Sequence, residues 1–215
     1  MDATLWPFAA LRITTPRLEL RYPDDDDLVA LAHLAAEGIH DPASMPFSVP
    51  WTDVEPAGFA SSFAAYHWRC RAEWSVAEWH LNLAVFQEGD LVGAQGLAAK
   101  HYLVTRSAET GSWLGRAHQG RGIGTAMRQA MCVFAFDHLD AAEVTSGAFV
   151  DNPASRAVSR KVGYRPNGVS RWQRREGELA EHESLRLGPD DLVRGQHPLE
   201  VEGLAAFRRS IGLDS

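Results

Sequence analysis

The stretch Gln119-Gly120-Arg121-Gly122-Ile123-Gly124 constrains this chain more than any other, because it has the composition of a turn that seats an anion on the start of a helix. Residues 107–114 before it read as a strand. Residues 125–138 after it repeat apolar side chains at helical spacing, with Met127, Ala130, Met131, Phe134 and Ala135 on one face. Glycines without Cβ bring backbone N–H groups close to phosphate oxygens, and the helix dipole adds partial positive charge at the same end. The expected ligand is a phosphate-bearing cofactor.

The glycine offsets narrow the choice. A dinucleotide fingerprint starting at Gly120 needs glycine where Thr125 stands, and one starting at Gly122 needs it at Met127. A P-loop ends in Gly-Lys-Ser/Thr, and no lysine lies between Lys100 and Lys161. What remains is Gln/Arg-x-x-Gly-x-Gly/Ala. Downstream, a second strand at 143–150 runs into Asn152-Pro153-Ala154-Ser155 and a short helix that ends in Val162-Gly163-Tyr164. Asn152 suits an N-cap and Pro153 the first helical position, so capping alone also accounts for this segment.

In this order the two motifs resemble the GNAT superfamily of acyl-CoA-dependent N-acyltransferases. The resemblance implies an α/β (α+β) fold across residues 14–187, with a central mixed, mostly antiparallel sheet splayed in the middle and flanked by helices. It implies a coenzyme A pyrophosphate on Gln119, Gly120, Arg121, Gly122, Ile123, Gly124 and Thr125, with Trp113, Leu114, Asn152 and Arg160 also on the cofactor. Glu109-Thr110-Gly111-Ser112-Trp113-Leu114 is similar to the Glu-x-Gly-Tyr-Trp-Leu stretch of the ribosomal-protein-acetylating branch, with Ser112 in place of the tyrosine. That likeness makes Glu109 the candidate base; Ser155, at the start of the last helix, is the candidate proton donor to the departing thiolate, a place that a purely structural first-turn serine also fits. Phe47 and Trp51, in the loop between the first two helices, are the candidate acceptor-binding residues.

The run from His40 through Met45-Pro46-Phe47-Ser48-Val49-Pro50-Trp51, with Phe149-Val150-Asp151-Asn152, is similar to a smaller GNAT branch that includes a succinyl-CoA-using protein. The donor is therefore expected to be acetyl-CoA or succinyl-CoA, with no metal. A succinyl donor requires a cation or hydrogen-bond donor at the end of the cleft, and the sequence does not place one. The acceptor is an amine, on a small molecule or a protein N-terminus. An α-amine of pKa near 7.8 is roughly 15% neutral at pH 7, against about 0.04% for a lysine near 10.4, so one carboxylate acting through water suits the α-amine better. The alternative is a non-catalytic acyl-CoA-binding regulatory protein, which would lack the proton-handling groups.

Charge gives an independent view. The chain carries a net −7, which excludes general nucleic-acid binding and a basic membrane-surface patch. Residues 110–136 nevertheless contain no Asp or Glu but hold Arg116, Arg121 and Arg128. Residues 152–175 again contain none and hold Arg156, Arg160, Lys161, Arg165, Arg171, Arg174 and Arg175. Both motifs are locally cationic, as a diphosphate ligand requires.

The 215 residues, 45% hydrophobic, suffice for one filled core. The division expected is an acyltransferase domain over 1–188 and a C-terminal extension over 189–215. No apolar run approaches the ~20 residues of a membrane span, and Asp2 with no basic flank does not read as a signal peptide. A cytoplasmic protein is expected. Cys132 reads as a small buried hydrophobe and no ligand spacing points to metal. Asp24 to Asp27 open a helix to about residue 37 through capping and the dipole rather than holding a cation. A second helix is expected at 56–68, and a hairpin at 81–87 and 91–99 across Glu88-Gly89-Asp90. Late strands near 170–175 and 184–187 turn at Gly177. In the tail Leu199, Val201, Leu204, Phe207 and Ile211 are expected to seek a neighbouring subunit in a homodimer or higher homo-oligomer. Trp6 and Trp172 are expected to add aromatic area to that interface.

Overall fold

The computed structural model describes residues 5–195 and 198–214. Asp2, on which the reading of the N-terminus rests, lies outside them. The described strands form one nine-stranded sheet in the order β7-β8-β6-β5-β4-β3-β2-β1-β9. They are β1 (Arg12–Thr14), β2 (Glu19–Arg21), β3 (Glu78–Gln87), β4 (Asp90–Lys100), β5 (Ser107–Leu114), β6 (Glu143–Phe149), β7 (Arg165–Arg175), β8 (Glu178–Leu187) and β9 (Glu200–Glu202). Every neighbouring pair is antiparallel except β5 and β6, which run parallel.

Two helices cover one face. Helix α1 (Asp25–Ala36) starts in a reciprocal capping box. The Asp24 carboxylate accepts from the Asp27 N–H at 2.9 Å, and the Asp27 carboxylate accepts from the Asp24 N–H at 3.1 Å. The aspartate run is thus a helix start. Helix α2 (Pro56–Ala72) runs a turn beyond its expected end. Leu28, Leu31 and Ala32 of α1 and Phe63 of α2 pack there against Ala84 and Ala94 of the sheet.

On the opposite face lie α4 (Ile123–Val133) and α5 (Pro153–Val162); the four-residue α3 (Tyr102–Thr105) joins β4 to β5. Helix α4 buries Ile123, Met127, Ala130 and Met131, the period-3.6 face of the sequence, and widens at its end into a π-helical turn, Phe134–His138. Between β3 and β4 the chain turns on Glu88 at φ 54° and Gly89 at φ 90°, two left-handed residues whose twist matches a two-residue hairpin.

The tail packs on its own subunit. Strand β9 pairs with β1, and helix α6 (Leu204–Ser210) places Phe207 and Ile211, both fully buried, in the main core of the same chain. Phe207 meets Phe8, Trp74, Trp79 and Phe134 at ring distances of 5.8–6.0 Å. Trp6 belongs to the same cluster, 4.2 Å from Phe8 and 6.0 Å from Trp74. These side chains find their apolar surroundings within the subunit, because the first strand leaves an open sheet edge that the tail completes. Strand β9 and helix α6, after Gly188, are thus part of the same sheet and core.

Candidate active site

The glycine turn sits at the start of α4 as its composition requires. Gly120 and Gly122 hold φ of 74° and 79°, a region that L side chains rarely adopt, and a Cβ at either would point into open space. Gly122 is the N-cap and supplies no side-chain acceptor. The first-turn N–H groups, which no helix satisfies internally, are left for a ligand. Gly124 serves a different end: its bare Cα lets Val158 of α5 and Leu114 of β5 close on the helix. Ile123 is fully buried, while Arg121 is exposed beside the turn. The Gln119 side-chain Nε2 donates to the carbonyls of Ile39 at 2.6 Å and Leu114 at 2.9 Å. It fastens the turn to the end of β5 and to the loop after α1. The residues thus fit a diphosphate through backbone N–H groups, at a mouth that leads into the sheet.

That mouth opens because β5 and β6 separate. Their pairing covers only Ser107–Glu109 with Glu143–Thr145. Beyond the branch point each strand keeps its outer neighbour, β5 pairing with β4 from Glu109 to Leu114 and β6 with β8 from Val144 to Phe149, so the gap lies between β5 and β6. At the branch point hydroxyls replace the ladder: Thr110 Oγ1 donates to the Thr145 carbonyl at 3.1 Å, and Ser146 Oγ donates to the Thr110 carbonyl at 3.2 Å. Arg128 of α4 reaches into the fork, donating from Nη1 to Ser146 Oγ at 2.9 Å and from Nη2 to Ser112 Oγ at 2.8 Å. It is 4% exposed.

Alternation along β5 puts Glu109 and Trp113 on the face of α1 and α2, opposite Thr110 and Ser112. Glu109 is the last residue of β5 paired to β6 and is exposed. Trp113 lies 5.8 Å from Trp51 and 6.3 Å from Phe63. Trp51 in turn touches Phe47 at 5.1 Å, so both candidate acceptor residues are joined through one aromatic cluster to the strand that carries Glu109. On the far side of the fork His182 of β8 lies over Gly147 of β6, where a Cβ would come within 2.2 Å of its ring, and it stacks on Trp172 at 4.2 Å. Trp172 is 40% exposed. Burial lowers the basicity of His182.

Asn152 acts as the N-cap of α5, its Oδ1 accepting from the Ser155 N–H at 3.0 Å. Ser155 is half-buried in the first turn, and Arg160 is exposed on the last. Four arginines of the cation-rich segment are engaged by acids. Arg156 pairs with Glu183, Arg165 with Asp191, Arg174 with Asp151 and Glu178, and Arg175 with Asp53. Apart from Glu178, which faces Arg174 across the β7–β8 turn, these partners stand far off in sequence and meet the arginines only across the fold. Arg128, among the cations beside the glycine turn in sequence, is a charged residue within the buried helix face that carries Met127 and Met131. Among the described residues no group of three or more His, Cys, Asp or Glu is placed to hold a metal, and no helix is long and apolar enough to cross a membrane.

Comparison with known proteins agrees with this geometry. A family model described as an acetyltransferase (GNAT) domain matches residues 17–165. The chain is 36% identical over 78 residues to YdaF of Bacillus subtilis strain 168, whose name is that of a ribosomal N-acetyltransferase; the match covers 35% of this chain and 43% of YdaF. It is 28% identical over 116 residues to YjcK of the same organism, named a probable N-acetyltransferase, covering 53% of this chain and 64% of YjcK. The chain thus spans less than two thirds of the length of each. Among solved structures, Mycobacterium smegmatis RimJ in complex with CoA-disulfide superposes with a TM-score of 0.70 at 19% identity over 95% of both chains. RimL, a ribosomal L7/L12 alpha-N-protein acetyltransferase solved with coenzyme A, gives 0.65 at 19% identity, over 82% of this chain and 96% of RimL. At such identities these two likenesses speak for the fold.

Proposed function

The chain belongs to the GNAT acetyltransferase family, and from that premise we propose that it moves an acetyl or succinyl group from coenzyme A to a primary amine by direct attack. The carrying observation is the uncapped glycine turn at the mouth of the β5–β6 fork. The diphosphate rests on the backbone N–H groups of residues 120–125, with Arg121 and Arg160 as exposed cations for the remaining phosphate charge. The thioester arm enters the fork along Trp113 and Leu114, whose strand edge has no partner there. The amine approaches from the α1–α2 face, bounded by Phe47 and Trp51.

Glu109 takes the proton of the amine through water; its exposure beside the branch point and its place on the acceptor face support that role. Backbone N–H groups near Trp113 and Leu114 stabilise the oxyanion. Ser155, oriented by the Asn152 cap, donates to the departing thiolate. The acceptor is a small-molecule amine or a protein N-terminus, the latter favoured by the names of YdaF and RimL. A cytoplasmic site of action goes with an acyl-CoA donor. Assembly as a homodimer rests on the late strands alone, where edge strand β7 exposes Val169 and Trp172.

The test is mass spectrometry of ligand co-purified with the full chain, then thiol release over an amine library with the donor so identified. Acyl-CoA-dependent release that falls in Glu109→Gln supports the enzyme. Binding without release for any amine favours the regulatory protein, and no acyl-CoA binding rejects the reading.

A further inference from the structure

Arg128 is the only arginine or lysine fully buried among the described residues, and it has no carboxylate partner. Arg71 and Arg174, both well sheltered, are ion-paired. A guanidinium taken out of water without a counter-charge is costly, and two serine hydroxyls return only part of that cost. Its Nε is buried without a partner, and so is Oε1 of Gln95, which stands directly across the β4–β5 ladder from Ser112. The fork therefore holds a cation, a spare donor and a spare acceptor at one level.

Among the described residues no carboxylate is paired with Arg128. Cys132 and the phenol of Tyr164 are the nearby groups able to ionise, bonded to each other at 3.3 Å, with the Tyr164 ring 6.0 Å from the guanidinium. Burial pushes the Cys132 thiol up to about 11 and raises the Tyr164 phenol further, so both stay neutral. Residues 110–136 contain no acid. The face of the ring toward Arg128 offsets some of the cost, as cation–π contacts do, without neutralising it.

Given the proposed function, on which this step rests, the donor is the remaining source of the anion. Its diphosphate stays at the start of α4, and the arm that enters the fork is neutral up to and including the thioester. Of the donor's groups, only the end of the acyl chain can bring charge to Arg128. We infer that Arg128 selects a donor whose acyl chain ends in a carboxylate, the half-thioester of a short dicarboxylic acid with coenzyme A, by holding that carboxylate in the fork. Ser112 and Ser146 position the guanidinium. A planar fork of donors meeting a carboxylate is also the geometry in which arginine outperforms lysine.

Calorimetric titration of the full chain with coenzyme A, acetyl-CoA and succinyl-CoA tests this without knowledge of the acceptor. Succinyl-CoA is expected to bind about tenfold or more tighter than acetyl-CoA, the scale of a hydrogen bond to a charged group. In Arg128→Met the ratio falls to near one, and Arg128→Lys keeps part of it. A wild-type chain that binds the two thioesters equally overturns the inference and leaves the donor reading standing; this arm decides even where Arg128→Met does not fold. A variant that loses affinity for all three ligands alike, its ratio unchanged, overturns it in favour of a purely architectural arginine. A chain that binds none of the three rejects the donor reading and this inference with it.

Discussion

Arg175, at the end of β7, holds Asp53 of the loop between α1 and α2, with Nε to Oδ2 at 2.6 Å and Nη2 to Oδ1 at 3.2 Å, and Nη2 also donates to the Pro42 carbonyl at 3.0 Å. The last hairpin is thereby tied to the loop that carries Phe47 and Trp51. The Arg175 hydrogen bond holds the Asp53 carboxyl below the usual carboxylate range, so the pair is intact at neutral pH and opens only as pH falls through that depressed value. Both side chains are partly exposed, and the pair adds little to global stability. Asp53→Asn is expected to leave the melting temperature near wild type while raising the KM for the amine and speeding amide exchange across residues 41–53. Unchanged exchange in that loop counts against the tie.

Gly122→Val is expected to remove coenzyme A binding in a calorimetric titration. At φ 79° the valine also strains the backbone by about 1–3 kcal/mol, so a lowered denaturation midpoint accompanies the loss. A variant that keeps wild-type affinity shows that the diphosphate is held elsewhere.

Glu109→Gln is expected to lower turnover about 10²- to 10⁴-fold with donor affinity retained. Raising the pH should restore part of the rate, since an amine already deprotonated needs no base. Wild-type turnover at neutral pH in the variant assigns proton removal to another group.

Phe207→Ala is expected to cost about 3–5 kcal/mol in denaturant unfolding, the range for emptying a buried phenylalanine site. Truncation after Gly188 should likewise destabilise the subunit, because it strips β1 of β9 and the core of α6. A truncated chain as stable as the full one contradicts this packing.

His67 of α2 is buried against Phe63 at 4.7 Å, and that burial, aided by Arg71, drops its pKa from 6.5 to about 4. The unfolded chain takes up the proton first, so stability is full above pH 6.5 and falls as pH drops toward 4, by about 3 kcal/mol at most. Unfolding free energies measured at pH 7, 5.5 and 4 should show this slope, and His67→Phe should flatten it.

Much of the molecule was legible along the chain. The hairpin turn at Glu88-Gly89, the α1 start at Asp24 and the α5 start at Asn152-Pro153 are local events whose donors and acceptors sit within a few residues. Short elements were harder. Three-residue strands such as β1 and β9 have no period of their own and exist because each offers the other an edge. The tail's apolar positions were plain, but whether they met a second subunit or the first strand was not.

The sequence by itself determined the glycine turn, the two strands that flank the fork and the family, because left-handed glycines, caps and hydrophobic period are properties of neighbours in the chain. Tertiary structure alone decided the charges. Arg128 carries the same charge as Arg121, yet α4 turns one into the fork and leaves the other in water. Arg175 finds Asp53 across 122 residues. The partner of an ion, and the solvent it loses, depend on which surfaces meet in space, and one-dimensional spacing does not encode that meeting.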